Sequence, residues 1–234
     1  MRATFAIFAS TIGSALIGLP ALPSALAEGP YSTEVLAEAP PEELAGEIRE
    51  TLQERGVRVR NADGEPVFDI WLCASVPAQA EIGGPSGSVL YPFLTAGQLV
   101  GAVRLSEEAY DYKDQSILPG VYTMRYGLQP VDGNHLGVSK YRDYLLLSLA
   151  DEDIEAGPIS QDDLQALSTG PSGTNHPAIF LLLPAPEGGE VPAIVPDEAE
   201  ERTGLVLELP VAPQGGGEPE PLAIQLVIEG AGPH

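Results

Sequence analysis

The segment GVYTMRYGLQ at residues 120–129, together with KYRDYLLLSLA at residues 140–150, decides the fold class of this chain. Both runs are largely apolar and carry the tyrosine or β-branched residues that strands favour. Between them, Gly133 and Asn134 tolerate positive φ and favour a turn. The pattern predicts two neighbouring strands joined by a loop, the second of them in a sheet buried on both faces.

The strand pattern extends in both directions from this pair. Residues 57–72 alternate in polarity and turn at an Asp-Gly pair, which predicts a hairpin. Residues 203–211 and 222–230 are expected to pair as a second hairpin. Residues 186–202 are acidic and rich in proline, which favours an exposed loop. Further strands are predicted from VLYPFL at 89–94, LVGAVRLS at 99–106 and HPAIFLLLPAP at 176–186.

Only two short helices are expected. Residues 41–55 carry leucine or isoleucine at every fourth position and are followed by Gly56, which predicts an amphipathic helix. Residues 160–168 predict a second, minor helix with Ser160 as its N-cap. Strands that follow one another without intervening helices favour a mainly β fold, namely an antiparallel β-sandwich of immunoglobulin-like or jelly-roll type.

The N-terminal residues 1–27 have the pattern of an export signal. A single positive charge precedes an uncharged apolar run, and Ala25 and Ala27 supply the small residues of a cleavage site. The remaining residues 28–234 are expected to form one domain, with the main strands at 57–183 and the C-terminal strands at 203–230. No later segment predicts a membrane span. We therefore expect an exported protein, periplasmic or extracellular.

The chain is strongly acidic, with 34 Asp and Glu against 11 Lys and Arg and a net charge of −23. Without a cluster of basic residues such a chain repels a phosphate backbone, which excludes nucleic acid as a partner class. Cys73 is the only cysteine, so no intramolecular disulfide can form. Its apolar neighbours predict a buried, unreactive thiol.

Candidate binding residues gather around the loop between the first two strands. Arg125 lies on the first strand, Arg142 and Asp143 lie on the second, and Asp132 and His135 lie in the loop. Two interpretations remain open. Arg125 and Asp143 form an ion pair that fixes the strand register, or Arg125 and Arg142 bind a carboxylate ligand between tyrosine walls.

His135 and His176 each follow an asparagine at the edge of an apolar strand. Together with an aspartate they would supply ligands for a divalent metal. The alternative is that each Asn-His pair hydrogen-bonds its own loop. Their spacing matches no short metal motif, and the signatures of serine hydrolases, zinc proteases and phosphate-binding loops are missing from the sequence. No cofactor is predicted, with a divalent metal as the alternative.

The phrases PGVYTMRYGLQP, DGNHLG, RDYLLL and SGTNHP resemble recurring phrases of a family of exported bacterial proteins of unknown function. The likeness extends over about residues 41–183 and includes the hairpin at 57–72. It implies one domain with a common layout, and it carries no activity to transfer. The C-terminal residues depart from the family, with longer glycine and proline insertions.

The leading functional hypothesis is a non-catalytic exported module that binds a small molecule or a protein partner. The expected site is the end of the sandwich formed by the loops at 129–144 and 170–178. Its candidate contacts are Arg125, Asp132, His135, Arg142, Asp143 and His176. The alternatives are a metal-dependent hydrolase that uses His135 and His176, and a structural component of the cell envelope.

Overall fold

The computed structural model describes residues 30–112, 114–131 and 139–230, so the export signal predicted at 1–27 lies outside the described residues. Within these ranges there are thirteen strands and two helices. The strands are β1 Tyr31–Leu36, β2 Gly56–Asn61, β3 Pro66–Leu72, β4 Val76–Pro77, β5 Leu99–Leu105, β6 Ala109–Tyr110, β7 Ser116–Ile117, β8 Gly120–Leu128, β9 Asp143–Leu149, β10 Ile179–Pro184, β11 Ala193–Asp197, β12 Arg202–Ala212 and β13 Glu220–Gly230. The helices are α1 Gly46–Arg49 and α2 Gln161–Leu167.

Eleven of the strands form one large sheet in the order β1-β2-β3-β5-β8-β9-β10-β13-β12-β11, with β4 added beside β12. The β4–β12 pairing is parallel, and the other pairings in this sheet are antiparallel. Strands β6 and β7 form a separate small hairpin. The mainly β, antiparallel class predicted from the sequence is confirmed.

Strand β10 is the place where the sheet turns back on itself. Residues 179–181 pair with β9, whereas residues 182–184 pair with β13. The strands β1, β2, β3, β5, β8 and β9 on one side of β10 and the strands β11 to β13 on the other share one hydrophobic core. In this core the rings of Phe68 and Phe180 meet edge-on, with centroids 6.1 Å apart. At the far ends the Thr33 hydroxyl of β1 donates to the carbonyl of Pro192, next to β11, at 3.4 Å. A single curled sheet therefore encloses the main core.

Alternation along the strands gives each face of the sheet its own cluster. On the inner face of β9, Leu145 and Leu147 join the main core. On the outer face, side chains of β9, β10 and β13 join a smaller apolar group that helix α2 covers. We call this group the outer cluster; its buried members are Tyr112, Tyr144, Leu146, Leu164, Leu181 and Val227.

The two predicted helices differ in outcome. Helix α2 matches the prediction at 160–168, and the Ser160 hydroxyl caps its first turn. The length predicted over 41–55 is wrong, because α1 is a single turn. Beyond α1, the backbone amide of Gln53 donates to the carbonyl of Leu72 at 2.9 Å, so this part of the backbone bonds to strand β3 and does not continue the helix. Among the described residues, no helix is long and apolar enough to cross a membrane.

Both predicted hairpins are confirmed, as β2–β3 and β12–β13. The strand predicted at 89–94 is wrong, because the backbone amides of Leu90 and Tyr91 donate to the Asp143 carboxylate instead of to a neighbouring strand. The loop predicted at 186–202 contains β11, which pairs with β12. Strand β1 was not predicted at all.

Candidate functional site

Arg125 is fully buried on the outer face of β8 and fastens the segment that covers this face. Its Nε and Nη2 donate to the two carboxylate oxygens of Asp153 at 2.7 and 2.8 Å. Its Nη1 donates to the carbonyls of Gly97 and Gly157 at 2.7 and 2.8 Å, and Nη2 also donates to the carbonyl of Glu155. All five N–H groups of the guanidinium are thereby used.

Asp143 is fully buried on the inner face of β9 and holds the segment before β5 in place. Its Oδ2 accepts the amide of Leu90 at 2.8 Å, and its Oδ1 accepts the amide of Tyr91 at 3.1 Å and the hydroxyl of Tyr126 at 2.6 Å. Burial, and then the hydrogen bond to Asp143, raises the pKa of Tyr126. The phenol therefore remains a hydrogen-bond donor to the carboxylate.

These contacts correct the expected roles of the charged residues. The ion pair between Arg125 and Asp143 is wrong, because the two residues are not opposite each other in the β8–β9 register and Arg125 pairs with Asp153. Arg125 and Asp143 are both 0% exposed, so neither reaches a surface where a ligand binds. Arg142 is half-buried, and its Nε donates to the carbonyl of Gln129 at 2.7 Å.

The outer face of the sheet carries a cavity of about 610 Å³ between the β6–β7 hairpin, helix α2 and residues 175–177. We call it the outer-face cavity. It lies over the outer cluster, which supplies part of its floor. The floor is formed by Gly127, Leu128, Leu146, Leu164 and Ile179. The polar rim comprises Asp111, Gln115, Gln129, Gln161, Gln165, Asn175 and His176.

Tyr112 and Tyr144 form one wall of this cavity. Their ring centroids are 5.9 Å apart with planes tilted by 32°, and their hydroxyls are hydrogen-bonded at 3.2 Å. Burial, and then the hydrogen bond with Tyr144, raises the pKa of Tyr112. Burial likewise raises the pKa of Tyr144. Both phenols stay neutral at physiological pH, so the wall carries no charge.

One part of the rim is fixed by internal hydrogen bonds. The Gln115 amide nitrogen donates to the carbonyl of Pro177 at 3.1 Å, and its oxygen accepts the Thr174 hydroxyl at 3.1 Å. The backbone amide of His176 donates to the same hydroxyl at 3.0 Å. The SGTNHP segment at 172–177 is therefore tied to the β6–β7 hairpin by hydrogen bonds.

The rest of the rim is not engaged in this way. Five polar side chains make no hydrogen bond to another residue that the structure describes: Gln129, Gln161, Gln165, Asn175 and His176. Gln129 is only 6% exposed. Gln129 lines the cavity, and the other four side chains are exposed at its rim.

The structure brings part of the predicted site together. Gln129 and Pro130, at the start of the loop predicted to bind, line the same cavity as His176. Asp132 and His135 lie outside the described residues. Within the described ranges, no group of three His, Cys, Asp or Glu side chains is arranged to hold a metal ion. The metal-dependent alternative needs His135 and stays a prediction.

Several cavity residues were missed in the sequence. Gln161 and Gln165 are four residues apart and so share one face of a helix, which is a signal that was present. Tyr112 offered no such signal, because its contact with Tyr144 joins positions far apart in the chain.

Cys73 lies away from the outer-face cavity and is buried, as predicted. Its sulfur is 3.8 Å from the Thr51 hydroxyl and 3.7 Å from the carbonyl of Leu99. Burial raises the pKa of the thiol to about 11. A thiol that stays protonated is a poor nucleophile, so this group takes no part in a site.

A second depression of about 770 Å³ lies between residues 139–141 and the β11–β12 turn. Charged residues of both signs line it, and Arg202 is already bound to Asp197 through Nε and Nη2 at 3.0 and 2.9 Å. Because this arginine is occupied by a carboxylate of the same chain, we take the outer-face cavity as the candidate site.

A scan against protein-family models, a search of curated proteins and a search of solved structures each find no match for this chain. The family resemblance based on shared sequence phrases therefore remains a prediction. Any functional conclusion has to come from the geometry and chemistry of the site itself.

Proposed function

We propose that this protein is an exported, non-catalytic module that binds a small molecule in the outer-face cavity. The observation that carries the proposal is an apolar floor beneath polar side chains that bond no other described residue. Small-molecule sites are concave, of roughly 300–1,000 Å³, and mostly apolar with a few polar groups that orient the ligand. The volume of about 610 Å³ lies within that range.

The walls of the cavity are held in place before any ligand arrives. Its floor lies on β8 and β9, which are paired along both edges, and on the half of β10 that pairs with β9. Arg125 anchors the covering segment through Asp153, and the Ile159 amide donates to the carbonyl of Gly97 at 3.3 Å just before α2. A rigid site loses little conformational entropy when it binds, which favours affinity.

The rim chemistry favours binding over covalent catalysis. Among the described lining residues there is no serine, threonine, cysteine or lysine to act as a nucleophile. Asp111 is 3% exposed, and its Oδ1 accepts the backbone amide of Gln115 at 3.0 Å. That carboxylate stabilises its own turn. The remaining polar groups are suited to orienting a ligand.

Filling the cavity tests the proposal. Gln165→Trp places a large side chain at the mouth, whereas Ala166→Trp adds the same side chain to an exposed position of α2 that does not line the cavity. We would screen the parent chain by thermal melting against neutral sugars, amines, carboxylates and blocked peptides. A ligand at a hundred times its Kd adds about 2.7 kcal/mol, which corresponds to roughly 5–10 °C in Tm for a domain of this size.

The proposal predicts that the Gln165→Trp variant loses this stabilisation and that the Ala166→Trp variant keeps it. A screen in which no compound raises the Tm would refute it. So would a ligand that stabilises the parent and the Gln165→Trp variant equally, since such a ligand binds elsewhere.

A further inference from the structure

We infer that the ligand of the outer-face cavity is an uncharged sugar, a mono- or disaccharide. The inference rests on the proposed function, because it assigns a chemical class to the ligand of that same site. Four features of the cavity support it: its charge, its hydrogen-bonding groups, the arrangement of its aromatic wall and its enclosure by paired strands.

The charge of the cavity disfavours an anion. None of the described lining residues is a lysine or an arginine. Of the arginines that we expected to hold a carboxylate, Arg125 is used in its buried pair with Asp153, and Arg142 donates its Nε to the carbonyl of Gln129. The net charge of −23 adds long-range repulsion. Among the described lining residues, an anionic ligand would find no lysine or arginine as a counter-charge.

The aromatic wall disfavours a quaternary or primary amine. Cation recognition by aromatic rings uses ring faces directed at the charge. Tyr112 and Tyr144 lie side by side with planes only 32° apart, and their hydroxyls bond to each other. They therefore form a single neutral wall instead of facing each other across the cavity. Asp111, the carboxylate of the described rim, already accepts a backbone amide of its own turn.

The hydrogen-bonding groups of the rim match sugar hydroxyls. Gln129, Gln161, Gln165 and Asn175 are carboxamides, and each offers an acceptor oxygen and two donor N–H groups. A hydroxyl also donates and accepts, so either orientation of each amide finds a partner. Beneath the rim, Leu146 and the rest of the apolar floor supply the apolar surface that the C–H face of a sugar ring needs.

A peptide is the other neutral ligand with many donors and acceptors, and the sheet disfavours it. An extended peptide gains affinity by adding itself to a free strand edge. Strands β8 and β9, which lie under the cavity, have both edges already paired, and residues 179–181 of β10 pair with β9 along one edge. The volume of about 610 Å³ equals that of roughly 20 waters, which suits a compact ligand of disaccharide size.

The experiment compares ligand classes on the full chain. We would titrate maltose, cellobiose, lactose and diacetylchitobiose by calorimetry and saturation-transfer NMR, alongside glucosamine, glucuronate and a blocked tetrapeptide. At least one neutral sugar is expected to bind, with its ring C–H protons receiving saturation. Gln129→Leu and Gln165→Leu should each weaken binding by about two- to tenfold, the value of one neutral hydrogen bond. The control Gln79→Leu, at an exposed position outside the cavity, should not.

Each result has a distinct meaning. The side chains of Gln129 and Gln165 make no hydrogen bond to another described residue, so both leucine variants should keep the parent melting temperature, and a loss of binding then reports on the side-chain contact alone. If an amine, a carboxylate or the peptide binds and Gln165→Trp blocks it while sugars do not bind, the sugar assignment is overturned and the cavity is kept. A sugar whose affinity both leucine variants leave unchanged overturns the site. No binding by any probe overturns the proposed function as well.

Discussion

Replacing Arg125 with methionine should destabilise the fold by about 4 kcal/mol. The change leaves the Asp153 carboxylate, which is 2% exposed, without its cation. Removing one partner of a buried ion pair costs about 3–5 kcal/mol, because the remaining charge stays buried without compensation. For a domain of this size that loss lowers the Tm by roughly 8–16 °C.

A second substitution separates the cost of the unpaired Asp153 charge from the cost of the hydrogen bonds that Arg125 makes to backbone carbonyls. Asp153→Leu combined with Arg125→Met removes both charges, so the penalty for an isolated charge disappears. The carbonyl of Gly97 then lacks its guanidinium donor, as do those of Glu155 and Gly157, and a buried polar group left unsatisfied costs about 1–3 kcal/mol. The double variant should therefore be more stable than Arg125→Met alone.

Chemical unfolding followed by the fluorescence of Trp71 provides the assay, since Trp71 is the only tryptophan and is 0% exposed. Far-UV circular dichroism should give the same transition if unfolding is two-state. Arg202→Met is the matched control, because its ion pair with Asp197 is partly exposed and should be worth less than about 1 kcal/mol. An Arg125→Met loss as small as the control's would refute the reasoning. A double variant less stable than Arg125→Met would do the same.

Three further predictions concern single positions. Gly97→Ala should cost about 3 kcal/mol or more in urea unfolding, since φ is +83° and an added Cβ would lie 1.8 Å from the Ile159 carbonyl oxygen; Gly64→Ala, with φ of +81° and open space around it, should cost only the conformational strain of about 1–2 kcal/mol. Burial raises the pKa of the Cys73 thiol to about 11 in the folded protein, so the thiol ionises at a lower pH in the unfolded chain. The stability that this difference contributes is present below the ordinary pKa of cysteine and is lost as the pH rises through about 11. The Cys73→Ala variant should show a smaller fall in urea midpoint between pH 8 and 11, and an unchanged fall would contradict this. Ser160→Ala should lower stability by about 1 kcal/mol in the same unfolding assay through loss of the helix cap, and no change would show that the cap is not used in solution.

Local pattern accounts for the parts of the fold that the sequence predicts correctly. In β8, tyrosine and methionine alternate with threonine and arginine, and this period of two is visible in the residues themselves. The hairpin turn needs a positive φ at Gly64, and the Asp-Gly pair in the sequence predicts such a turn. These features depend on neighbours within a few positions.

The errors arise where a distant group decides the local structure. VLYPFL at 89–94 has the composition of a strand, yet Asp143, about fifty positions later, takes two of its backbone amides. The same holds for Arg125, whose partner Asp153 belongs to a polar loop and not to the facing strand. A single sequence contains no sign of which carboxylate will meet which donor.

The candidate site was predicted only in part, because contacts between distant residues also determine which side chains line it. The segments near residues 129 and 176 were expected to meet, and they line one cavity. The four-residue spacing of Gln161 and Gln165 places them on one face of a helix, but it does not show that this face lies over an apolar floor. Binding groups of this kind follow no motif, so only the assembled structure identifies them.

Stability and binding are assigned to different residues on the same face of the sheet, although they are physically linked. Arg125 holds residues 153–157, and the chain then passes Ile159, bonded to Gly97, before Gln161 and Gln165 line the cavity. Loosening the arginine should therefore move helix α2 and weaken ligand binding as well as the fold. Gln165→Leu should weaken binding and leave the melting temperature unchanged. If both substitutions lowered stability and affinity in the same proportion, the rim glutamines would be part of the structural support, and the separation of the two roles would fail.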